Sequence, residues 1–253
     1  MDVRAYLKRI GYDKPLRLDI ESLYGLHRTH LLTVPFENLD IHLGEPIQLC
    51  EQALWEKIIL RKRGGFCYEL NGMFAWLLKQ TGFEVTYLNG RVYNSAGKRG
   101  REFDHLTLLV KIPAVEQSWL ADVGFGDSFF EPLHFGYDGE QAQGLRAYRL
   151  EPASDGYDLL RRDFDGKWER QYFFDLQPRM FPADYEAACS YHQTSPNSSF
   201  THERVISLAT PDGRLTLDSK HLTVTTNGKR IKRKLKDETE FREFLKGYFG
   251  VEL

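Results

Sequence analysis

Arg61-Lys62-Arg63-Gly64-Gly65-Phe66-Cys67-Tyr68-Glu69-Leu70-Asn71 sets two glycines and a cysteine at the head of an apolar run. Phe66, Leu70, Met73, Phe74, Leu77 and Leu78 recur at helical steps, so a helix starts near Cys67, and Gly82 closes it. The glycines let the backbone turn sharply and approach a ligand. A thiol at a helix N-terminus, with cations upstream, has its anion stabilised. A free thiol ionises at about pH 8.5, and such a setting brings that value to roughly 3.5–7.5. Most free cysteines are small buried hydrophobes, the reading that suits Cys50 and Cys189. Cys67 is the candidate nucleophile.

Upstream of this segment the chain is also helical. Ile20, Leu23, Tyr24, His27 and Leu31 keep the helical period behind Asp19 as N-cap, and Pro35 stops the run. Glu51 to Arg61 places Leu54, Trp55, Ile58 and Ile59 on one face. From Phe83 the period becomes two. Val85–Tyr87, Arg91–Tyr93, His105–Ile112, Ser118–Val123, Leu145–Leu150, Tyr157–Phe164 and Lys167–Phe174 read as strands, with Asp-Gly turns at Asp155-Gly156 and Asp165-Gly166. Short strands return at Arg204–Ala209, Arg214–Leu217, His221–Thr225 and Lys229–Leu235, before a last helix capped by Asp237 with Glu240 at the capping-box position. The expected class is α+β: a helical bundle over residues 1–82 carrying the nucleophile, an antiparallel barrel or sandwich over 83–176, a connecting segment at 177–201, and a small sheet with a closing helix over 202–253.

His105 and Asp122 lie on adjacent expected strands. A turn centred between Pro113 and Ala114 sets them opposite each other on one face, where they hydrogen-bond, and a one-residue slip sends them to opposite faces. Taken singly, each is a satisfied polar group at a strand end. With Cys67 they complete a Cys–His–Asp set in which Asp122 orients the imidazole and His105 carries the proton.

Composition excludes several other functions. The chain has 253 residues and a formal net charge of −2, with 42% hydrophobic and 28% charged residues. That balance argues against bulk nucleic-acid binding. No apolar stretch approaches the roughly 20 residues of a membrane span. The first residues lack a secretory signal, Asp2 excludes N-myristoylation, and an odd count of three cysteines fits a reducing cytoplasm. His27-Arg-Thr-His30 has ligand spacing but no third ligand, so no metal is expected. The Lys229–Leu235 run is a solvated strand or, alternatively, a phosphate attractor, and Gly124-Phe-Gly126 is no dinucleotide fingerprint.

Several segments together resemble the arylamine N-acetyltransferase family: Tyr6-Leu-Lys-Arg9-Ile-Gly, Val34-Pro-Phe-Glu-Asn-Leu39, Arg63 to Asn71, Asp104-His105-Leu, Leu120-Ala-Asp122-Val-Gly-Phe-Gly126 and Thr194-Ser-Pro-Asn-Ser-Ser-Phe200. The resemblance implies a helical bundle, a β-barrel and an α/β lid around a cysteine-protease- or transglutaminase-like core, with the triad Cys67, His105 and Asp122. It implies Phe36 and Phe125 in an aromatic acceptor pocket, and Gly124 and Gly126 in the narrow turn beside it. It also implies Thr194, Ser195 and Ser198 where the coenzyme A tail enters, and Arg9 with Glu37 as a structural ion pair. The implied activity is acetyl transfer from acetyl-CoA to arylamines, arylhydrazines or related amines by a ping-pong route through acetyl-Cys67, in cytoplasmic xenobiotic metabolism. The same three residue types also suit an amide hydrolase or a transglutaminase-like enzyme, and a lone reactive thiol suits a sensor.

Overall fold

The computed structural model describes residues 1–163 and 166–253. Phe164 and Asp165, where the sequence expects a strand end and the first half of an Asp-Gly turn, lie outside the described residues. The N-terminal part is helical: α1 (Val3–Ile10), α2 (Ile20–Thr33), a short α3 (Leu39–Leu43), α4 (Glu51–Trp55) running into a π-helical turn at Glu56–Leu60, and α5 (Cys67–Gln80). Local chemistry sets the helix starts. Asp2 accepts from Arg4 N–H at 3.1 Å and Asp19 from Ser22 N–H at 2.9 Å, each supplying one partner that the first turn lacks. Every residue of α5 from Cys67 to Leu78 is buried. The stripe expected from its sequence is therefore only the most apolar part of a helix enclosed on all sides, because α5 lies between the bundle and the first strands of the sheet that follows.

That sheet contains β2 (Glu84–Val92), β3 (His105–Lys111), β4 (Ser118–Ala121), β5 (Leu133–Phe135), β6 (Gln141–Gln143), β7 (Arg146–Ala153), β8 (Gly156–Arg162) and β9 (Trp168–Phe174). Its order is β5-β4-β3-β2-β9-β8-β7-β6, entirely antiparallel, and it curls into a nearly closed barrel. The two stretches expected before residue 94 form the single strand β2, and β5 and β6 emerge from what reads as a glycine-rich link. At three residues each, they are too short to show a period. Two glutamines of β6 bridge the remaining seam. Gln141 exchanges bonds of 2.7 and 3.1 Å with the His134 backbone, and Gln143 takes Phe130 and Glu131 N–H groups while donating to Glu131 O. A side-chain amide offers the donor and acceptor of a peptide unit, so these two stand in for a ladder at an otherwise open edge. Leu88, Leu120, Phe129, Leu133, Tyr148, Leu150, Leu159, Tyr172 and Phe174 form a buried cluster of this barrel.

The segment 177–201 is polar and proline-rich, yet it carries α6 (Glu186–Thr194) and α7 (Ser199–His202), with Tyr185 and Cys189 buried in the core of the helical part. The C-terminal sheet has the order β1-β10-β11-β12-β13, where β1 is Phe36–Glu37 and the others are Val205–Thr210, Gly213–Asp218, His221–Thr226 and Lys229–Lys234. β1 pairs Phe36 with Ser207 and Glu37 with Ile206, so this sheet takes an edge strand from the helical part. The closing helix α8 (Glu238–Phe249) starts on Asp237, which accepts Glu240 N–H at 2.9 Å. It buries Phe241, Leu245 and Phe249 with Ile206, Leu217 and Leu222 of the sheet.

Candidate active site

Cys67 is the first residue of α5 and is almost fully buried. The chain reaches it through the π-turn, a left-handed Lys62 (φ 54°) and the two glycines. A Cβ on Gly64 would lie 1.9 Å from Pro35 O, and Gly65 O accepts Glu37 N–H at 2.9 Å. Gly64 thus admits the Pro35 backbone, and Gly65 leaves room for the Glu69 side chain, where an added Cβ would lie 2.7 Å from Glu69 Cβ. Glu69 reaches back to Phe66 N–H at 3.0 Å and holds the helix start.

Arg61 and Arg63, of the upstream cations, are committed elsewhere, as is Lys57. Arg63 is buried against Glu37 (2.8 Å) and Asp40 (2.7 Å), Lys57 bonds Asp40 (2.7 Å) and Glu69 (2.8 Å), and Arg61 pairs with Glu45 at 3.6 Å. Arg9 does not pair with Glu37. Its guanidinium donates to the carbonyls of Ile58, Thr33, Lys62 and Arg63 at 2.9–3.2 Å, groups left open at the ends of α2 and the π-turn. The thiol therefore lacks the cationic help read from Arg61 and Arg63. Burial pushes it well above its ordinary value, a Leu106 N–H bond pulls it back, and the Asp122 and Asp104 charges push the same way as burial. In this setting a thiolate persists only as an ion pair with a proton acceptor close by.

The candidate acceptor, His105, is on the adjacent strand. Leu106 follows His105, the first residue of β3 and 2% exposed. His105 Nε2 lies 2.7 Å from Asp122 Oδ2. Ile112 O accepts Val115 N–H at 3.0 Å, a turn centred between Pro113 and Ala114 as expected. Glu116 and Gln117 lengthen the return, however, and the ladder pairs Lys111 with Ser118 and Leu108 with Ala121. Continued by one residue, that register sets Asp122 opposite Thr107, two positions from His105. Side chains alternate with a period of two, so the displacement keeps both residues on one face, as diagonal rather than direct neighbours.

Asp122 is fully buried and accepts four donors. His105 and the Tyr172 hydroxyl (2.9 Å) meet Oδ2, and Asn71 Nδ2 (2.9 Å) and Gly124 N–H (3.0 Å) meet Oδ1. Burial raises its pKa, but His105, Asn71 and Gly124 outweigh that effect, and the carboxyl sits below its ordinary value. Asn71 also bonds Leu106 O (2.6 Å) and Val123 N–H (2.9 Å), which ties α5 to β3 and to the loop after β4. Asn71 lies one helical turn after Cys67 inside the quoted segment, so its sequence position marked it. Tyr172 comes from β9, 50 residues beyond Asp122, and no local pattern links them.

The remaining expected residues surround this group. Gly124 packs on the Cys67 backbone, and an added Cβ would stand 2.8 Å from Cys67 Cα. Phe125 sets its edge on His105 (ring centres 5.2 Å apart) and on Tyr172 (5.0 Å). Phe36 is half-buried, 3.5 Å from where a side chain on Gly126 would begin, and Phe200 stands between Phe36 (6.1 Å) and Phe66 (5.9 Å). Ser198 is buried, and its hydroxyl is taken by Phe200 N–H and His192. Thr194 bonds Ser190 O, and Ser195 Oγ accepts Asn197 N–H.

A buried cysteine at a helix start, packed against the loop that follows a histidine-bonded aspartate and beside a half-buried aromatic surface, is a layout that suits acyl transfer. The sequence model described as N-acetyltransferase matches residues 19–253. Arylamine N-acetyltransferase 1 of Homo sapiens is 34% identical over 278 aligned residues, which span 100% of this chain and 95% of that protein. The chain belongs to the arylamine N-acetyltransferases. It is an acyltransferase by that membership. The arylamine N-acetyltransferase structure of Mycobacterium smegmatis superposes with a TM-score of 0.93 at 32% identity, covering 100% of this chain and 93% of that one. The Mycobacterium marinum enzyme in complex with CoA superposes at 0.90 and 30% identity, covering 99% and 93%. Among the described residues, no helix is long and apolar enough to cross a membrane, and no three His, Cys, Asp or Glu side chains are grouped to hold a metal.

Proposed function

We propose that this arylamine N-acetyltransferase carries acetyl from acetyl-CoA on Cys67 and delivers it to the nitrogen of an arylamine or arylhydrazine. The observation that carries the reading is the close packing of the Asp122 loop on Cys67, where a Cβ on Gly124 would stand 2.8 Å from Cys67 Cα, with His105 Nε2 held by Asp122 at 2.7 Å. With Nε2–H donated to the carboxylate, Nδ1 is the ring nitrogen that takes the thiol proton. The thiolate attacks the thioester carbonyl, the bond from carbon to the coenzyme sulfur breaks, and the departing coenzyme thiolate takes the proton from His105. One thioester replaces another, so the step is nearly neutral in free energy. The amine then attacks acetyl-Cys67, His105 accepts its proton, and the Cys67 sulfur leaves.

Phe125 against His105, with Phe36 beside Gly126, offers a flat aromatic surface to the acceptor. The coenzyme tail enters along Thr194–Ser198, because Phe200 connects that segment to Phe36 and to Phe66 next to the nucleophile. The CoA complex of the Mycobacterium marinum relative supports the choice of donor. All three cysteines are unpaired, which suits work in a reducing cytoplasm on xenobiotic amines.

Enzyme mixed with acetyl-CoA alone releases one burst of coenzyme A and gains an acetyl group on Cys67, read by peptide mass. Absence of a burst from folded protein, or an equal burst from Cys67→Ala, refutes the reading. Faster turnover of a peptide or glutamine side chain than of any arylamine would favour the hydrolase alternative.

A further inference from the structure

We propose that His27 is a positioning residue that clamps both ends of the Asp122–Phe130 loop and, through Asp122, sets the place of His105. The inference rests on the Cys67–His105–Asp122 reading above and adds a fourth, remote member to it. His27 lies on α2, is fully buried, and touches the loop at two backbone groups: Nε2 is 3.0 Å from Asp122 N, and Nδ1 is 2.9 Å from Phe130 O. An amide N–H can only donate and a carbonyl can only accept. The ring is therefore neutral, with its proton on Nδ1 and its lone pair on Nε2. An imidazolium would aim a second N–H at the Asp122 N–H. Burial pushes the pKa of His27 down to about 4, in keeping with that neutral form.

The rest of the pocket fixes the ring plane. Phe129 stacks on it (5.5 Å, 9°) and Phe74 meets it edge-on (5.8 Å, 76°). Between the two clamped groups lie Gly124, whose N–H holds Asp122 Oδ1, and Phe125, which packs on His105. Apolar filling alone would be served by leucine without the cost of burying an imidazole, so the two bonds are what this position requires. His30, one turn further along α2, differs: its Nδ1 meets Tyr6 OH at 3.1 Å and its Nε2 has no hydrogen-bond partner among the described residues, so it holds neither end of the loop by a hydrogen bond.

The test follows iodoacetamide alkylation of Cys67 against pH in the parent, His27→Leu, His27→Gln and His105→Ala enzymes, together with the acetyl-CoA burst rate. Glutamine presents an acceptor and a donor at about the spacing of the two ring nitrogens, and leucine presents neither. His27→Leu is expected to slow the burst by about tenfold or more and to move the alkylation midpoint by roughly half a pH unit or more. His27→Gln is expected to restore both measures most of the way. A His27→Leu profile that superposes on the parent's, while His105→Ala moves it, overturns the clamp and leaves the Cys67–His105 pair standing. A profile that His105→Ala does not move overturns that pair, and the clamp with it. Should His27→Leu fail to fold, nitrogen-15 spectra of the parent decide: a ring protonated on Nδ1 and unchanged from pH 8 to 5 is expected, and an Nε2–H tautomer or a titration near 6.5 overturns the assignment.

Discussion

Tyr172→Phe takes a single hydroxyl donor away from the most heavily bonded carboxylate of the site and leaves the packing intact. The ring contacts to His105 (4.9 Å) and Phe125 (5.0 Å) are those of the phenyl body, which phenylalanine keeps. What disappears is the 2.9 Å bond from the hydroxyl to Asp122 Oδ2, and the weaker contact to Thr107 Oγ1 at 3.2 Å. Both Tyr172 and Asp122 are fully buried, so water does not replace the lost donor. A hydrogen bond to a charged acceptor contributes about 1.5–3 kcal/mol, and a central value of about 2 kcal/mol lowers the Tm of a chain this long by roughly 4–8 °C. The deficit also has a pH signature. The Asp122 carboxyl sits below its ordinary value, so its stabilising contribution is complete above about pH 4 and fades as pH falls through the lower folded-state value. The gap between variant and parent should narrow on acidification below about pH 4. Thermal and urea unfolding at pH 7 and pH 3.5 measure both effects. A Tm within about 1 °C of the parent's at pH 7, or a gap that widens in acid, refutes the view of Asp122 as a buried anion held by its donors.

Gly124→Ala places a Cβ 2.8 Å from Cys67 Cα and 2.9 Å from its carbonyl oxygen, both backbone atoms. The loop must shift, costing about 1–3 kcal/mol and slowing the acetyl-CoA burst; a folded variant with the parental burst rate contradicts the close approach. Lys57→Met leaves Glu37, Asp40 and Glu69 with Arg63 as their one cation among the network described. It should cost about 3–5 kcal/mol in urea unfolding, and a loss under about 1 kcal/mol would mean the carboxylates find other partners. His27 titrates near 4 when folded and near 6.5 when unfolded, so the unfolded chain binds the extra proton between those values. Its contribution is complete above about pH 6.5 and is lost as pH falls toward 4, roughly 3 kcal/mol in all; His27→Gln should flatten that slope relative to the parent.

The helices, and the place of Cys67 at the start of one, were legible because their signals are local. Asp19 and Asp237 cap within three residues, and the run after Cys67 repeats at the helical period. The shared face of His105 and Asp122 was legible for a subtler reason: lengthening the return by Glu116 and Gln117 displaces the partner by two positions, and a period of two tolerates that displacement. Strands of two or three residues, such as Phe36–Glu37 and Gln141–Gln143, hold too few positions to show a period, and α6 buries too little apolar surface to stand out from a polar stretch.

The amino-acid sequence by itself determined that Cys67 stands at a helix start, which family the chain joins and which faces are apolar, since each depends on residues near one another along the chain. Only the tertiary structure decided which polar groups meet. Arg63 turned to Glu37 and Asp40 instead of the thiol, Arg9 closed carbonyl ends rather than an ion pair, and Tyr172 and His27 arrived at Asp122 from 50 and 95 residues away. A buried polar group takes whichever partner the packing brings within about 3 Å, and that choice is made by the fold as a whole.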